Sequence, residues 1–148
     1  MFFLGIDPGR NGGFAIIDSD NHTVIEAMKF DKDSFLSWTD YLSRADKKTK
    51  CCLEKVHAMP KQGSVSMFHF GESYGWLKGV LDAFEISYQE IRPQIWKKEF
   101  GLTSDKQRSI EVCKQLFPAI NLIPAGCKKE QDGIAESLLM AEFARRKL

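Results

Sequence analysis

The chain opens with two short apolar runs that a tight, glycine-rich segment separates. Residues 2–7 read FFLGID and residues 13–18 read GFAIID. The segment PGRNG joins the two runs, and a further glycine, Gly13, begins the second run. Proline and glycine at this spacing interrupt regular structure and favour turns. We therefore predict two strands joined as a hairpin, with a third strand at 23–30 that extends the meander.

The rest of the chain alternates helical and strand-like patterns. An apolar stripe predicts a helix over about 34–44, capped by Ser34, and CCLEKV predicts a fourth strand at 51–56. Three strands followed by alternating helices and strands are typical of a mixed sheet with helices on its faces. The predicted fold class is α/β, a ribonuclease-H-like mixed five-stranded sheet flanked by helices. The remaining predicted elements are a helix over 64–83, a strand at 86–91 and helices over 93–99, 104–116 and 130–147.

Length and charge exclude several classes of protein. With 148 residues, of which 43% are hydrophobic, we expect a single domain over 1–148 with a proper core. A net charge of +1, from 21 basic and 20 acidic residues, excludes a generally basic nucleic-acid coat and an acidic tail protein. No apolar run reaches the roughly 18 residues of a membrane span, and no signal-peptide pattern is present. We expect a cytoplasmic protein.

The cysteines show no pattern of a metal site or a disulfide framework. They stand at positions 51, 52, 113 and 127, without CxxC or Cys/His ligand spacing. The adjacent Cys51 and Cys52 lie in an apolar run, where cysteine usually behaves as a small buried hydrophobe. We therefore expect neither structural zinc nor disulfides.

Two acidic residues stand within apolar strands. Asp7 ends the first strand at the glycine-rich turn, and a period of two puts Glu54 on one strand face with Cys52 and Val56. A carboxylate on an apolar face is costly unless a cation or hydrogen-bond donors satisfy it. Structural alternatives stay open, because Asp7 could open the turn through an Asx-type hydrogen bond. Glu54 could likewise lie on an exposed edge strand.

The segment QDGIAESLLMAEF places two more carboxylates on one side of the last predicted helix. At about 100° per residue, Asp132 and Glu136 fall within about 40° of each other. Leu139, Met140 and Phe143 flank the same direction, which predicts an apolar stripe around the pair. Like charges at this spacing repel each other, and a divalent cation would offset the repulsion. An exposed, frayed first helical turn is the alternative.

Asp7, Glu54, Asp132 and Glu136 together form a set of hard oxygen ligands without histidine or cysteine. Such a set suits Mg²⁺, with Mn²⁺ as a substitute, and does not suit zinc. Two such ions roughly 4 Å apart are the usual arrangement for in-line attack on a phosphodiester. The chain has no GxxxxGK[ST] loop of the kind that binds nucleotide phosphates. These residues therefore predict a metal-dependent nuclease with two ions in its active site.

Four segments, in order, resemble the RuvC family of Holliday-junction resolvases. They are GIDPG after the first strand, LEKV on the fourth, a glycine-punctuated helix and the terminal AESLLMAEFARR helix. The resemblance runs from Leu4 to about Arg146 and is strong for short phage-type members, which carry similar MPxQG and FGxSxGxxxG segments. It implies a ribonuclease-H-like fold, a homodimer, and Mg²⁺-dependent nicking of two strands at a four-way DNA junction. A phage-encoded member would act in the host cytoplasm.

The resemblance also implies roles for individual residues. The four carboxylates take the positions of the acidic metal ligands, and Lys106 takes that of a group that stabilises charge near the scissile phosphate. The last two carboxylates, Asp132 and Glu136, stand four residues apart, and the second is a glutamate. In the bacterial enzymes both residues are aspartates, and they stand three residues apart. His57 stands where bacterial relatives carry an aromatic side chain that wedges into the junction. Because this aromatic side chain is missing, we expect a broader specificity for branched DNA, including forks and flaps, rather than strictly sequence-specific cleavage.

Two stretches rich in basic residues flank the predicted active-site segments. Residues 47–61 hold five lysines against one acid, and residues 92–114 hold six basic side chains against three acids. Lysine and arginine contacts to phosphates supply sequence-independent affinity that falls with salt, although any single one could lie on a solvated helix face. Trp96, among them, is expected in the core. The predicted DNA contacts are Lys55, His57, Lys61, Arg92, Lys97, Lys98, Lys106 and Arg108.

Gly71, Gly75 and Gly79 recur every four residues on the predicted 64–83 helix. Each costs a helix about 1 kcal/mol relative to alanine, so three on one stripe indicate that another backbone packs closely. That backbone belongs either to the protein's own sheet or to the same helix of a second subunit. A two-fold homodimer would suit a substrate with two symmetric strands to cut.

Two other functions stay open at the level of sequence. One is a branched-DNA-binding protein without catalysis, because Glu136 and its spacing depart from the bacterial pattern. The other is a phosphotransferase, because GIDPG followed by GGFAIID also resembles the first phosphate loop of sugar kinases and actin-like ATPases. Those enzymes place nucleotide between two such domains, and this chain supplies one.

Overall fold

The computed structural model describes residues 1–148 and contains five strands and five helices. The strands are β1 (Phe2–Asp7), β2 (Gly13–Asp18), β3 (Thr23–Lys29), β4 (Thr49–Glu54) and β5 (Ser87–Ile91). The helices are α1 (Lys32–Arg44), α2 (Ser64–Ala83), α3 (Pro93–Glu99), α4 (Lys106–Leu116) and α5 (Asp132–Lys147). None of the helices combines the length and apolar character that crossing a membrane requires.

The five strands form one mixed sheet in the order β3-β2-β1-β4-β5. β2 is antiparallel to both β1 and β3, whereas β4 runs parallel to both β1 and β5. β4 is therefore an interior strand, and the edge-strand alternative for Glu54 is wrong. Because β1 and β4 are parallel, their carboxyl ends, Asp7 and Glu54, lie at the same edge of the sheet.

Alternate residues of the sheet serve two cores on its opposite faces. Phe3 and Cys52 pack with side chains of α3, α4 and α5 on one face, whereas Leu4 and Leu53 pack with α1 and α2 on the other. Because side chains alternate along a strand, Asp7 shares the face of Phe3. Glu54 shares that of Cys52. Both carboxylates therefore lie on the face that α5 covers.

Backbone contacts between α5 and the sheet fix the position of this helix. A Cβ atom on Gly5 of β1 would overlap the backbone oxygen of Ser137 and the backbone nitrogen of Ala141. A Cβ atom on Gly133 would overlap the backbone oxygen of Asn11, because the β1–β2 turn rests on the first turn of the helix. Only glycine allows these approaches.

Helix α5 differs from its prediction in the extent of its burial. Every residue from Gly133 to Ala144 is buried, because α3 and α4 cover the side of the helix that the sheet does not. The predicted apolar stripe is present, since Leu139, Met140 and Phe143 are buried, but burial extends to the other sides of the helix as well. The frayed-turn alternative is wrong for Glu136, which is 2% exposed.

Several predicted element starts also differ from the structure by one or two residues. β4 begins at Thr49 rather than at residue 51, because Thr49 already pairs with Phe2 of β1. α1 begins at Lys32, and its cap is Asp31, whose carboxylate accepts a hydrogen bond from the backbone nitrogen of Ser34. Ser34 is therefore not the cap. Cys51 and Cys52 are buried, as expected, and all four cysteines are free thiols.

The three glycines of α2 face open space. A Cβ atom on Gly71, Gly75 or Gly79 would meet nothing within 4 Å. The protein's own sheet is therefore not the backbone that packs against this stripe, and the first of the two alternatives for it is wrong.

Candidate active site

The four predicted carboxylates gather around the first turn of α5, at one edge of the sheet. β1 and β4 end there in Asp7 and Glu54, and the contact of Gly133 with the β1–β2 turn brings Asp132 to the same edge. Burial raises the pKa of Asp7 to about 8, and the charges of Glu54, Glu136 and Asp132 act in the same direction. Asp7 and Glu136 are thus buried carboxyl groups with further acidic groups beside them.

Glu54 takes part in a hydrogen bond that the sequence does not predict. Nε1 of Trp96 donates to Oε2 of Glu54 at 2.8 Å, and the indole is completely buried. Burial raises the pKa of Glu54, and this hydrogen bond opposes the rise. The structure confirms that Trp96 belongs to the core. One signal could have revealed the contact, because a buried indole N–H usually needs an acceptor.

Glu136 is a buried carboxylate with three compensating partners. Oγ of Ser109 donates to its Oε1 at 3.1 Å. Nζ of Lys97 lies 3.6 Å from the same oxygen, and Nζ of Lys106 lies 3.4 Å from Oε2. Because an unpaired buried charge is costly, these donors make the position tolerable for a carboxylate. The sequence does not predict this role for Ser109, which has no distinguishing pattern in α4.

Lys106 links the two carboxylates of α5. Its Nζ lies 3.1 Å from Oδ2 of Asp132 as well as within reach of Glu136. Burial lowers the pKa of Lys106, but the charge of Glu136 and the hydrogen bond with Asp132 outweigh this and raise it. The side chain is 60% exposed, so the ammonium is both charged and accessible from solvent.

The chemistry of this donor set fits a hard divalent cation. It offers carboxylate oxygens without histidine or cysteine. Burial and, after it, the neighbouring carboxylates raise the pKa of Asp7, and a cation would offset the repulsion between these carboxylates. As the side chains stand, no three of them converge on a point that an ion could occupy. The residues therefore suit the ion by type and location, and ligation requires their side chains to rotate toward one another.

The predicted DNA contacts that follow β4 lie beside this site. Lys55 and His57 are exposed and line a groove of about 1100 Å³ between the segment after β4 and residues 66–77 of α2. We call it the α2 groove. Lys61 is exposed in the same connection. By contrast, Lys48 lies at the opposite end of β4 from Glu54, so the basic stretch as a whole does not flank the site.

The predicted contacts from α3 and α4 point in different directions. Lys97 belongs to the carboxylate site, where its side chain is 16% exposed. Lys98 lines a separate hollow with Phe143 of α5. Arg92 is exposed where α3 begins, and exposed Arg108 pairs with Glu111 at 3.2 Å. The structure thus brings Lys97 and Lys106 to the carboxylates and leaves the other three outside.

Comparison with known proteins establishes the fold. No protein-family model matches the chain, and no curated protein matches it in sequence. The structure of T. thermophilus RuvC in complex with a Holliday junction substrate matches with a TM-score of 0.64 at 14% identity, covering 99% of this chain and 97% of that one. A second Thermus thermophilus RuvC structure matches with a TM-score of 0.61 at 15% identity, covering 99% of this chain and 96% of that one.

The protein therefore has a RuvC-like fold, an α/β fold with a ribonuclease-H-like mixed sheet. This confirms the fold class and the resemblance that the sequence analysis identified. Because one fold can carry different chemistries, the function has to be argued from the site itself.

Proposed function

We propose that this protein is a Holliday junction resolvase, a structure-selective endonuclease that nicks branched DNA by metal-dependent phosphodiester hydrolysis. The observation that carries the proposal is the gathering of four carboxylates at one edge of a RuvC-like sheet. The T. thermophilus RuvC structure with the same fold is a complex with a Holliday junction substrate, which supports branched DNA as the partner. Such an activity would serve DNA recombination and repair.

In this proposal Asp7, Glu54, Asp132 and Glu136 hold Mg²⁺, with two ions in each site and Mn²⁺ as a substitute. When bound, such ions activate water for attack and stabilise the leaving oxygen. Trp96 keeps the Glu54 carboxylate in place through its hydrogen bond. Lys106 is accessible enough to exchange its carboxylate partners for an oxygen of the scissile phosphate.

We also propose that the protein acts as a homodimer through the exposed glycine stripe of α2. The open space above Gly71, Gly75 and Gly79 supports this, because the protein's own sheet does not use it. Two sites related by a two-fold axis suit a junction whose two symmetric strands are both cut.

The test is a cleavage assay on an end-labelled four-way junction with Mg²⁺, alongside fork and flap substrates. We expect nicks in two strands by the wild type and a rate reduced by roughly 100-fold or more in Asp7→Asn and Glu54→Gln. The matched control is Asp46→Asn, since Asp46 is exposed in the α1–β4 connection, and it should cleave like the wild type. An intact junction with both Mg²⁺ and Mn²⁺, or full activity of Asp7→Asn, would refute the proposal.

The second candidate is a branched-DNA-binding protein without catalysis. One observation favours it: no three carboxylates converge, and the Lys106 ammonium contacts both Asp132 and Glu136. Tight junction binding that persists in EDTA, together with no nicking by the wild type in either metal, would establish this alternative.

A further inference from the structure

The α2 groove begins at the candidate active site. Glu54 lines it, as do Pro8, Gly9 and Arg10 of the turn that follows Asp7. The ring of Phe70 on α2 lies 3.5 Å from the position of a Cβ atom on Gly9, so helix and turn form one continuous wall. A ligand that fills the groove therefore has one end beside the carboxylates.

Four large aromatic side chains contribute to the lining. Phe70, Tyr74 and Trp76 of α2 line the groove together with Phe30, which follows β3, and all four are only partly buried. The parts of these side chains that are not buried offer apolar surface on which a base can stack, since every nucleobase has a π-face. The groove is thus suited to unpaired bases.

The charge of the groove complements a polyanion. Arg10, Lys32 and Lys55 line it and are exposed, and Nζ of Lys32 lies 4.9 Å from the centre of the Trp76 ring. The acids in the lining are Glu54, at the site end, and Asp31. Asp31 is already engaged as the cap of α1 through hydrogen bonds from Ser34. A phosphate backbone would thus meet a net positive surface.

We propose that the α2 groove binds a single-stranded segment of DNA, with its phosphates on Arg10, Lys32 and Lys55 and its bases stacked on the aromatic side chains. A duplex hides the faces of its bases and would leave this aromatic lining without a partner, whereas unpaired nucleotides offer both bases and phosphates. The inference rests on the proposed function. It specifies unpaired nucleotides at the branch as the part of the substrate that lies next to the cut.

The test is fluorescence anisotropy with labelled oligothymidine of about 15 nucleotides and with a duplex of equal length, in EDTA so that no strand is cut. We expect the wild type to bind the single strand more tightly than the duplex. Phe70→Ala and Lys32→Gln should each weaken single-strand binding by about 10-fold. Lys48→Gln is the matched control, since Lys48 is exposed at the opposite end of β4, and it should bind normally.

Phe70→Tyr and Phe70→Leu separate stacking from folding. Both keep apolar bulk on α2, but only tyrosine keeps a flat ring, so tyrosine should retain binding and leucine should lose it. Equal binding of single strand and duplex, wild-type binding by Phe70→Ala, or an equal loss in Lys48→Gln would overturn the proposal. So would a change of oligomeric state in Phe70→Ala without DNA, since the groove would then hold a second copy of the chain.

The two proposals fail in different ways. Single-strand binding by a wild type that cuts no junction would refute the nuclease and support the groove. Junction cleavage at the normal rate by a Phe70→Ala variant that binds single strands normally would refute the groove and leave the nuclease intact.

Discussion

The indole nitrogen of Trp96 donates a hydrogen bond to Oε2 of Glu54 at 2.8 Å, although the two residues are 42 positions apart in the chain. They meet because α3 packs on the same face of the sheet to which β4 directs Glu54. A hydrogen bond to a carboxylate is stronger than one between neutral groups. The orientation of a proposed metal ligand therefore depends on a core residue that reaches no substrate.

Trp96→Phe removes this donor and keeps most of the apolar volume. We expect the single-turnover rate of junction cleavage to fall by about 10-fold, as for other residues that orient metal ligands, while junction affinity in EDTA stays unchanged. Trp38→Phe on α1 is the control for loss of an indole elsewhere. Equal cleavage rates for Trp96→Phe and the wild type would show that Glu54 does not need this partner.

Gly5→Ala tests the backbone contact between β1 and α5. The added methyl group would overlap backbone atoms of Ser137 and Ala141, which cannot move independently of the helix. We expect the free energy of unfolding in urea to fall by about 3 kcal/mol or more. Gly71→Ala, where a Cβ atom meets nothing within 4 Å, should not be destabilised as a monomer. A Gly5→Ala protein as stable as the wild type would contradict the contact.

Gly75→Leu tests the proposed dimer. A leucine side chain has room in the isolated chain, so the monomer should fold normally, but it would prevent two α2 backbones from approaching closely. We expect sedimentation to show a dimeric wild type and a largely monomeric variant. Ser43→Leu, at an exposed position of α1, is the control for added apolar surface. If Gly75→Leu sediments as the wild type does, the glycine stripe is not the interface.

We expect Glu142 to make the free energy of unfolding fall at acid pH. It is 1% exposed and accepts hydrogen bonds from His22, Arg145 and Arg146. Burial alone would raise its pKa, but these donors outweigh burial and lower the pKa from 4.5 to about 2. Because the pKa is lower in the folded state, the stabilisation is complete above the unfolded value of 4.5 and is lost as the pH falls toward about 2.

The measurement is urea unfolding of the wild type and Glu142→Gln from neutral pH to about pH 3. We expect the stability advantage of the wild type over the variant to shrink on acidification by roughly 2 kcal/mol, since the partners of Glu142 are partly exposed to solvent. An advantage that stays constant over this range would mean that Glu142 titrates normally.

The positions of Asp7 and Glu54 could be predicted because the signals are local. The glycine-rich turn ends β1 at Asp7, and alternation along β4 puts Glu54 on the face of Cys52. The environment of α5 could not be predicted in the same way. An apolar stripe records which side of a helix is most hydrophobic, but coverage of its other sides by α3 and α4 arises only from tertiary packing.

The same limit applies to the partners of the carboxylates. Trp96 contacts Glu54 although the two residues are 42 positions apart in the chain. Ser109 contacts Glu136 across 27 positions. Nothing in the pattern of α3 or α4 specifies the crossing that brings them there. Lys97 and Lys98 look alike in sequence, and one helical step decides that the first faces the carboxylates and the second faces a hollow beside Phe143.

The contacts at Gly5 and Gly133 join main chain to main chain. The separation between the end of β1 and the first turn of α5 is therefore set by contact between backbone atoms. A substitution at either glycine would shift one proposed metal ligand relative to the other, although neither glycine carries a ligand itself.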